Sequence, residues 1–187
     1  MQAPSGQMTA PPVRALLTAG NLTGEWVLDP RKSSLRLQSR SMWGLAPVNG
    51  VFREVSGNGI VSPDGEVSGT VTVTAASIDT GNTRRDTHLR STDFFDCGNH
   101  PDITFITDGI RPSGQGVAVT GALTVRDRTR PLSFDAAASV RGNGEIWLDA
   151  EVHVNRADFG LTWNQMGMAS MNNILAIHAV FIRRVSA

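Results

Sequence analysis

A histidine and a cysteine are the residues whose types could carry chemistry in this chain. His178 alternates with the same spacing as Ile174 and Ala176, so the three share one strand face that is otherwise apolar. His178 is interpreted either as a hydrogen-bonded core residue or as a polar contact for a ligand. Cys97 and His100 have C-x-x-H spacing, but a zinc site needs about four ligands and no second pair is present. A nucleophilic cysteine would also need a base and an oxyanion donor, neither of which the sequence shows. We therefore predict no catalytic residue, no metal site and no cofactor.

Several functional classes are excluded by motif and charge. The chain lacks a nucleophile elbow, a phosphate-binding loop, a zinc-protease helix motif and a dinucleotide fingerprint. Lys plus Arg and Asp plus Glu number 17 each, so there is no basic footprint for nucleic acid. One cysteine allows no internal disulfide. The N-terminus lacks the charged start and continuous apolar run of a secretion signal, so we expect a cytoplasmic protein.

The stretch "NRADFGLTWNQMGMASMNN", residues 155–173, combines loop-forming residues with an unusual amount of soft apolar surface. Methionine side chains are flexible and polarizable, and adapt to guests of differing shape. The segment "SMWGLAP", residues 41–47, resembles it in composition. Both segments are interpreted either as the lips of an entrance or as plugs that close one end of the fold. We also predict two roles for Arg156 and Asp158: they tie the loop to the rim, with Asp86 as a candidate partner, or they anchor a ligand head group.

The elements that must position these residues are β-strands. Apolar and polar residues alternate over 34–41, 66–77, 116–126, 131–140 and 145–155, with compact turn signals between them. This pattern predicts an all-β fold with an antiparallel sheet closed on itself, and a sandwich is the alternative.

Three other segments complete the predicted fold. Residues 79–95 predict a short inserted helix with a cap at Asn82 or Thr83. The last strand, within 172–185, is apolar on both faces. Residues 1–23 are predicted to be a flexible N-terminal arm, and residues 24–187 the folded domain.

The chain resembles the YceI-like family through several stretches. The most specific is "SIDTGNTRRDTHLRSTDFFDCGNHPDITF", and "VNGVFREVSGNGIV", "VTGALTVRDRTRPLSF" and "VNRADFGL" occur in the family's order. The resemblance implies a lipocalin-like antiparallel β-barrel of about eight strands with one short inserted α-helix. It also implies a long apolar lumen that binds polyisoprenoid and related lipids, and frequent homodimers.

Small residues at inward positions of the predicted strands, such as Ala136, Ala138 and Ala150, leave space for an apolar guest. We therefore predict a non-enzymatic protein that binds a long-chain lipid for carriage, storage or sensing, with transient membrane contact. The alternatives are an enzyme for a hydrophobic substrate, with His178 as its candidate group, and a ligand-free structural or stress-response dimer. The residues predicted to line the lumen are Leu35, Leu37, Val71, Val73, Phe105, Leu123, Val125, Phe134, Leu148, Ile174, Ala176, His178 and Val180. Those predicted at the mouth, near the head group, are Met42, Trp43, Phe52, His88, Phe94, Arg156, Trp163, Asn164, Met166, Met168 and Met171.

Overall fold

The computed structural model describes residues 13–41, 44–141, 144–167 and 169–184. Its helices are α1 (Val13–Thr18) and α2 (Thr83–Arg90). Its strands are β1 (Gly24–Leu28), β2 (Ser34–Ser41), β3 (Ala46–Phe52), β4 (Val55–Val61), β5 (Val67–Thr74), β6 (Ile78–Asp79), β7 (Asp102–Ser113), β8 (Gly116–Val125), β9 (Arg128–Arg141), β10 (Glu145–Asn155) and β11 (Asn172–Arg183). Within these ranges, no helix has the length and apolar character needed to cross a bilayer.

The sheet closes on itself because β11 pairs with β1 as well as with β10 and β2. β1 and β2 follow each other along β11 as one interrupted strand, and β3 and β4 follow each other in the same way. The result is a closed eight-strand antiparallel barrel, which confirms the predicted fold class. All the strand pairs are antiparallel neighbours within one sheet, so the sandwich alternative is wrong.

The alternation in sequence becomes a dry inner face and a wet outer face. In β8, Val117, Val119, Leu123 and Val125 are buried, whereas Thr120 between them is exposed. A strand places successive side chains on opposite faces, so one apolar set per strand is sufficient to build the interior. The interior packs as two hydrophobic clusters, one at each end of the barrel.

The inserted helix is confirmed, and its anchors are local. The side chain of Asn82 accepts a hydrogen bond from the Arg85 backbone N–H at 3.1 Å, which caps α2. The buried Asp86 carboxylate accepts from the backbone N–H and the hydroxyl of Thr80, at 3.0 and 2.6 Å. Asp86 is thus committed to the turn before α2, and its predicted role as a partner of Arg156 is wrong.

The barrel has two different ends, called the mouth and the base. The mouth carries the long segments after β5 and β10, and its connecting segments are 44–45, 75–101, 126–127 and 156–171. The opposite end is called the base, and it holds residues 13–23 with the turns at 62–66 and 114–115. Antiparallel order requires this division, because successive strands run in alternate directions.

The predicted flexible arm over residues 1–23 is wrong for its second half. Val13 and Leu17 of α1 are buried, and so is Leu22 in the turn that follows. Val13, Leu16 and Leu17 have the i, i+3, i+4 spacing that forms one apolar stripe on a helix, and this stripe packs onto the base. Residues 1–12 of the predicted arm lie outside the described residues.

The predicted inward face of the last strand is also wrong. In β11 the cavity is lined by the alternate set: Asn173, Leu175, Ile177, Ala179 and Phe181. Ile174 and Ala176 therefore lie on the opposite face, in register with His153 and Glu151 of β10. Val180 is also absent from the cavity wall, although it is fully buried. Because both faces of β11 are apolar, alternation alone could not decide which of them is inside.

Candidate functional site

The barrel encloses an apolar cavity of about 280 Å³ that runs between its two hydrophobic clusters. Ligand pockets are generally apolar concavities of roughly 300–1,000 Å³, so this space lies near the lower limit of that range. The inner faces of the strands provide its wall. The predicted lumen residues that the structure places on this wall are Leu35, Leu37, Val71, Val73, Phe105, Leu123, Val125, Phe134 and Leu148.

The interior is hollow because the inward side chains are small or widely spaced and do not fill the space inside the barrel. Leu37, Val71 and Leu148 face inwards, yet each is only half-buried, since part of its surface borders the cavity. Ala138 and Ala150 lie on the same wall and fill little of the space beside them. An eight-strand barrel can be filled by its side chains or can hold one small ligand, and the middle of this barrel is not filled by its side chains.

His178 borders the cavity, but its imidazole belongs to the outer surface. Its Nδ1 lies 2.6 Å from the carboxylate of Asp149, which is in register with it on the outer face of β10. The ring also packs against Trp147, with ring centroids 5.2 Å apart. The expectation that His178 presents a polar group to the lumen is therefore wrong, for the same reason as its neighbours in β11.

Arg156 is the buried charge of the mouth, and only 5% of its surface is exposed. Its Nε donates to the Ser170 carbonyl at 2.9 Å, and its Nη1 donates to the carbonyls of Trp163, at 2.9 Å, and Leu161. A longer contact of 3.4 Å joins Nη2 to the Ala169 carbonyl. The guanidinium thus holds the 156–171 loop closed through backbone oxygens, whereas the tying role of Asp158 stays a prediction.

The charge of Arg156 is balanced only by these carbonyl dipoles. Across the described residues, no carboxylate forms an ion pair with it, although Asp158 lies two positions away. Burial lowers the pKa of Arg156, because the charged form loses water. Arg156 also borders the cavity, so a cationic group lies at the mouth end of an apolar space. A guanidinium has five N–H donors, which leaves capacity for a carbonyl or anionic group of a ligand.

Aromatic rings surround this charge. The Arg156 guanidinium lies over the ring of Phe94, 5.4 Å from its centroid. The ring of His88 lies 6.4 Å from Phe94 and 4.1 Å from Trp163, measured between centroids. The buried Nε2 of His88 has no hydrogen-bond partner among the described residues. A buried polar atom without a partner is costly. His88 itself is not part of the cavity wall, but its neighbour Phe94 is.

An arginine between β8 and β9 contacts the segment after α2. Arg126, between β8 and β9, donates from Nη1 to the Phe94 carbonyl at 3.3 Å. Its Nη2 lies 3.8 Å from the buried carboxylate of Asp96. Phe94 and its neighbour Phe95 therefore keep a fixed position on the cavity wall.

Burial raises the pKa of the nearby Cys97 thiol, which reduces the fraction of its nucleophilic thiolate form.

The other predicted mouth residues have different positions. Phe52 is buried and lines the cavity. Asn164 accepts from the Ala169 backbone N–H at 2.8 Å, and the Met171 carbonyl accepts from the Arg156 backbone N–H at 2.9 Å, so these two shape the loop rather than the cavity wall. Met166 is 77% exposed on the rim. The predicted residues Met42, Trp43 and Met168 lie outside the described residues.

Sequence reasoning missed part of the wall. Trp26 and Leu28 of β1 are buried and line the cavity, and so are Phe159 and Leu161 in the loop after β10. The alternation of Trp26 with Leu28 was a usable signal, although β1 has only five residues. Nothing in the local pattern could show that Phe159 and Leu161 turn back into the barrel, because a short 3₁₀ segment at Arg156–Phe159 redirects the chain.

Together, the closed antiparallel sheet and the apolar interior with one polar end define a lipocalin-like β-barrel with an internal apolar cavity. The chain belongs to the YceI-like family, since the model of the YceI-like domain matches residues 26–181. A UPF0312 protein of Serratia proteamaculans is 29% identical over 179 residues, which are 90% of this chain and 92% of that protein. Protein YceI of Escherichia coli O6:H1 is 32% identical over 113 residues, which are 57% of this chain and 58% of that protein.

Solved structures share the fold. BcnA of Burkholderia cenocepacia superposes with a TM-score of 0.74 at 23% identity, covering 82% of this chain and 98% of that one. A polyisoprenoid binding domain from Saccharophagus degradans, implicated in plant cell wall breakdown, gives a TM-score of 0.70 at 15% identity, covering 85% and 98%. At these identities the likeness shows the architecture of the barrel.

Proposed function

We propose that this chain binds one long-chain apolar lipid of the polyisoprenoid type, such as an isoprenoid quinone or a polyprenyl phosphate. The observation that carries the proposal is an apolar cavity that ends at a buried, cationic Arg156. The tail occupies the cavity, and the polar head lies at the mouth near Arg156 and His88. Membership of the YceI-like family and the fold shared with a polyisoprenoid binding domain support this assignment.

Fit and head-group contacts set the affinity in this proposal. Each buried methylene contributes about 0.8 kcal/mol relative to water. A lipid that leaves a membrane starts in an equally apolar medium, so the net transfer term is close to zero. Discrimination then depends on how well the tail matches the cavity and on what the head finds at Arg156. These properties suit carriage, storage or sensing.

Transient contact with a membrane is part of the proposal, and the rim supports it. Leu45 is 82% exposed, and Trp163 and Met166 are exposed on the neighbouring loop. The two rim segments are joined because the Ser170 backbone N–H donates to the Arg40 carbonyl at 2.8 Å. Apolar side chains at the opening of a lipid cavity would lower the cost of lipid exchange. Homodimer formation, implied by the family resemblance, remains a prediction.

Binding is favoured over catalysis because the polar groups of the site hold positions rather than face a reacting centre. His178, the candidate group for the enzyme alternative, carries its imidazole on the outer surface, bonded to Asp149. Most of the N–H groups of Arg156 are bonded to backbone carbonyls of its own loop. No observation favours a particular reaction.

The test fills the cavity from one strand of the barrel. Ala138 lines the cavity, whereas Ala137, its neighbour on β9, faces the exposed outer surface. Farnesol and farnesyl phosphate are titrated into delipidated protein, with tryptophan fluorescence as the readout. We expect Ala138→Phe to weaken binding about tenfold or more, since the ring removes the space of several methylenes, and Ala137→Phe to bind like the wild type. Equal binding by both variants, or no binding by the wild type, would contradict the proposal.

A further inference from the structure

We propose that helix α1 forms the floor of the lipid cavity and thereby limits the length of the tail that the barrel accepts. This inference rests on the proposed function and adds a specificity determinant to it. Val13 and Leu17 of α1, and Leu22 after it, are buried and line the same cavity as the strand residues. They pack in one cluster with Trp26 and Val117.

The segment that carries α1 is attached to the barrel by directed hydrogen bonds. Arg183, at the end of β11, donates from Nη1 to the Thr23 carbonyl at 2.5 Å and from Nη2 to the Asn21 carbonyl at 2.8 Å. The indole Nε1 of Trp26 donates to the Leu22 carbonyl at 2.9 Å. The Arg183 guanidinium also lies over the Trp26 ring, 4.9 Å from its centroid. These contacts fix the turn after α1, and this turn holds α1, the floor, in position.

A neighbouring turn supports α1 from a second side. A Cβ built on Gly65 would lie 3.4 Å from the Leu17 carbonyl oxygen, which shows how closely the 62–66 turn approaches the helix. The hydroxyl of Thr23 donates to the Ser62 carbonyl at 3.4 Å. The floor therefore rests on the base turn as well as on the barrel wall.

The length limit follows from the geometry of the two ends. A head group held at Arg156 fixes where the tail begins, and Leu17 lies at the opposite end of the same cavity. The tail must end where the side chains of α1 begin. The family match starts at residue 26, so the floor is built from residues outside the matched domain. It is therefore a feature by which this barrel can select a tail length.

The test changes the floor in both directions. Leu17→Ala deepens the cavity and Leu17→Trp makes it shallower, while Ile106→Ala is the control, because Ile106 is 54% exposed on β7 and is not part of the cavity lining. The probes are all-trans prenols of three, four, five and six isoprene units, titrated into delipidated protein with tryptophan fluorescence. Val13→Ala serves as a second, smaller deepening variant, and thermal unfolding followed by circular dichroism establishes that each variant is folded.

We expect wild-type affinity to rise with prenol length and then to fall beyond a limit. Leu17→Ala should favour the longer prenols by about tenfold relative to the wild type, and Val13→Ala should favour them by less. Leu17→Trp should favour the shorter prenols, and Ile106→Ala should leave the profile unchanged. An identical length profile in all the variants would overturn the role of α1 while leaving lipid binding intact. Failure of the wild type to bind any prenol would instead overturn the proposed function, and the floor with it.

Discussion

At the mouth the barrel closes around a buried guanidinium, whereas at the base it closes with leucine, valine and tryptophan side chains. Arg156 holds its loop through several backbone carbonyls, and an imidazole nitrogen of His88 nearby lacks a partner among the described residues. Leu17 and Leu22 close the base by packing, and the hydrogen bonds of Arg183 lie behind them. On the proposed function, a lipid head would meet hydrogen-bond donors at the mouth, whereas the end of its tail would meet only apolar side chains at the base.

The largest expected effect is at the base, from Trp26→Ala. Trp26 is 3% exposed, lines the cavity and bonds to the segment that carries α1. Truncation of a buried aromatic residue costs about 3–5 kcal/mol of the free energy of unfolding. Urea unfolding measures it, and Trp147→Ala, a half-buried residue on the outer face, is the control. Similar losses in the two variants would mean that the base is not held by packing around Trp26.

A smaller loss is expected at the mouth, from Arg156→Met. This variant keeps an apolar stem but removes the donors that hold the carbonyls of the 156–171 loop, and hydrogen bonds from charged groups contribute about 1.5–3 kcal/mol each. Because methionine relieves the cost of a buried charge, we expect a net loss of about 2 kcal/mol. Limited proteolysis should then cut within 156–171.

Arg130→Met is the matched control for this variant. Arg130 is exposed and, within the described part of the chain, its side chain donates only to the carbonyl of its neighbour Thr129. Its loss should therefore change the free energy of unfolding by less than about 0.5 kcal/mol. An Arg156→Met protein as stable and as resistant to protease as Arg130→Met would show that the guanidinium does not organise the mouth.

The smallest effect on stability is expected from His88→Leu, which separates a role in stabilising the mouth from a role in binding the head group. The substitution removes a buried nitrogen that has no partner among the described residues, so the free energy of unfolding should stay within about 1 kcal/mol or increase. Binding of farnesol should weaken several-fold if the nitrogen contacts the hydroxyl. The titration used for the Ala138 variants measures the affinity for farnesol. Unchanged affinity would show that His88 does not contact the head group.

The sequence was most informative where a strand has one apolar face. The alternation in β2, β8 and β10 predicted both the strands and their inward residues, which line the cavity as expected. It failed in β11, where apolar residues occupy both faces. The register with β10, which pairs Asp149 with His178, determines which face of β11 points into the barrel. Only a non-local contact could supply that information.

The candidate site was predictable in its residue types and less so in its contacts. Arg156, His88, Phe94 and Trp163 were placed at the mouth from sequence, and the structure brings them together. The partners of Arg156 are backbone carbonyls of a folded loop, which no sequence motif encodes. The role of residues 13–18 was missed because six residues are too few to predict a stable helix without the packing that the base provides.

The central claim is that the interior holds a lipid, and native mass spectrometry of gently purified wild-type protein tests it most directly. We predict a mass increment of one apolar molecule per barrel that disappears after extraction with an organic solvent. A spectrum that shows the mass of the polypeptide alone, from protein that also fails to take up added farnesol, would contradict the account.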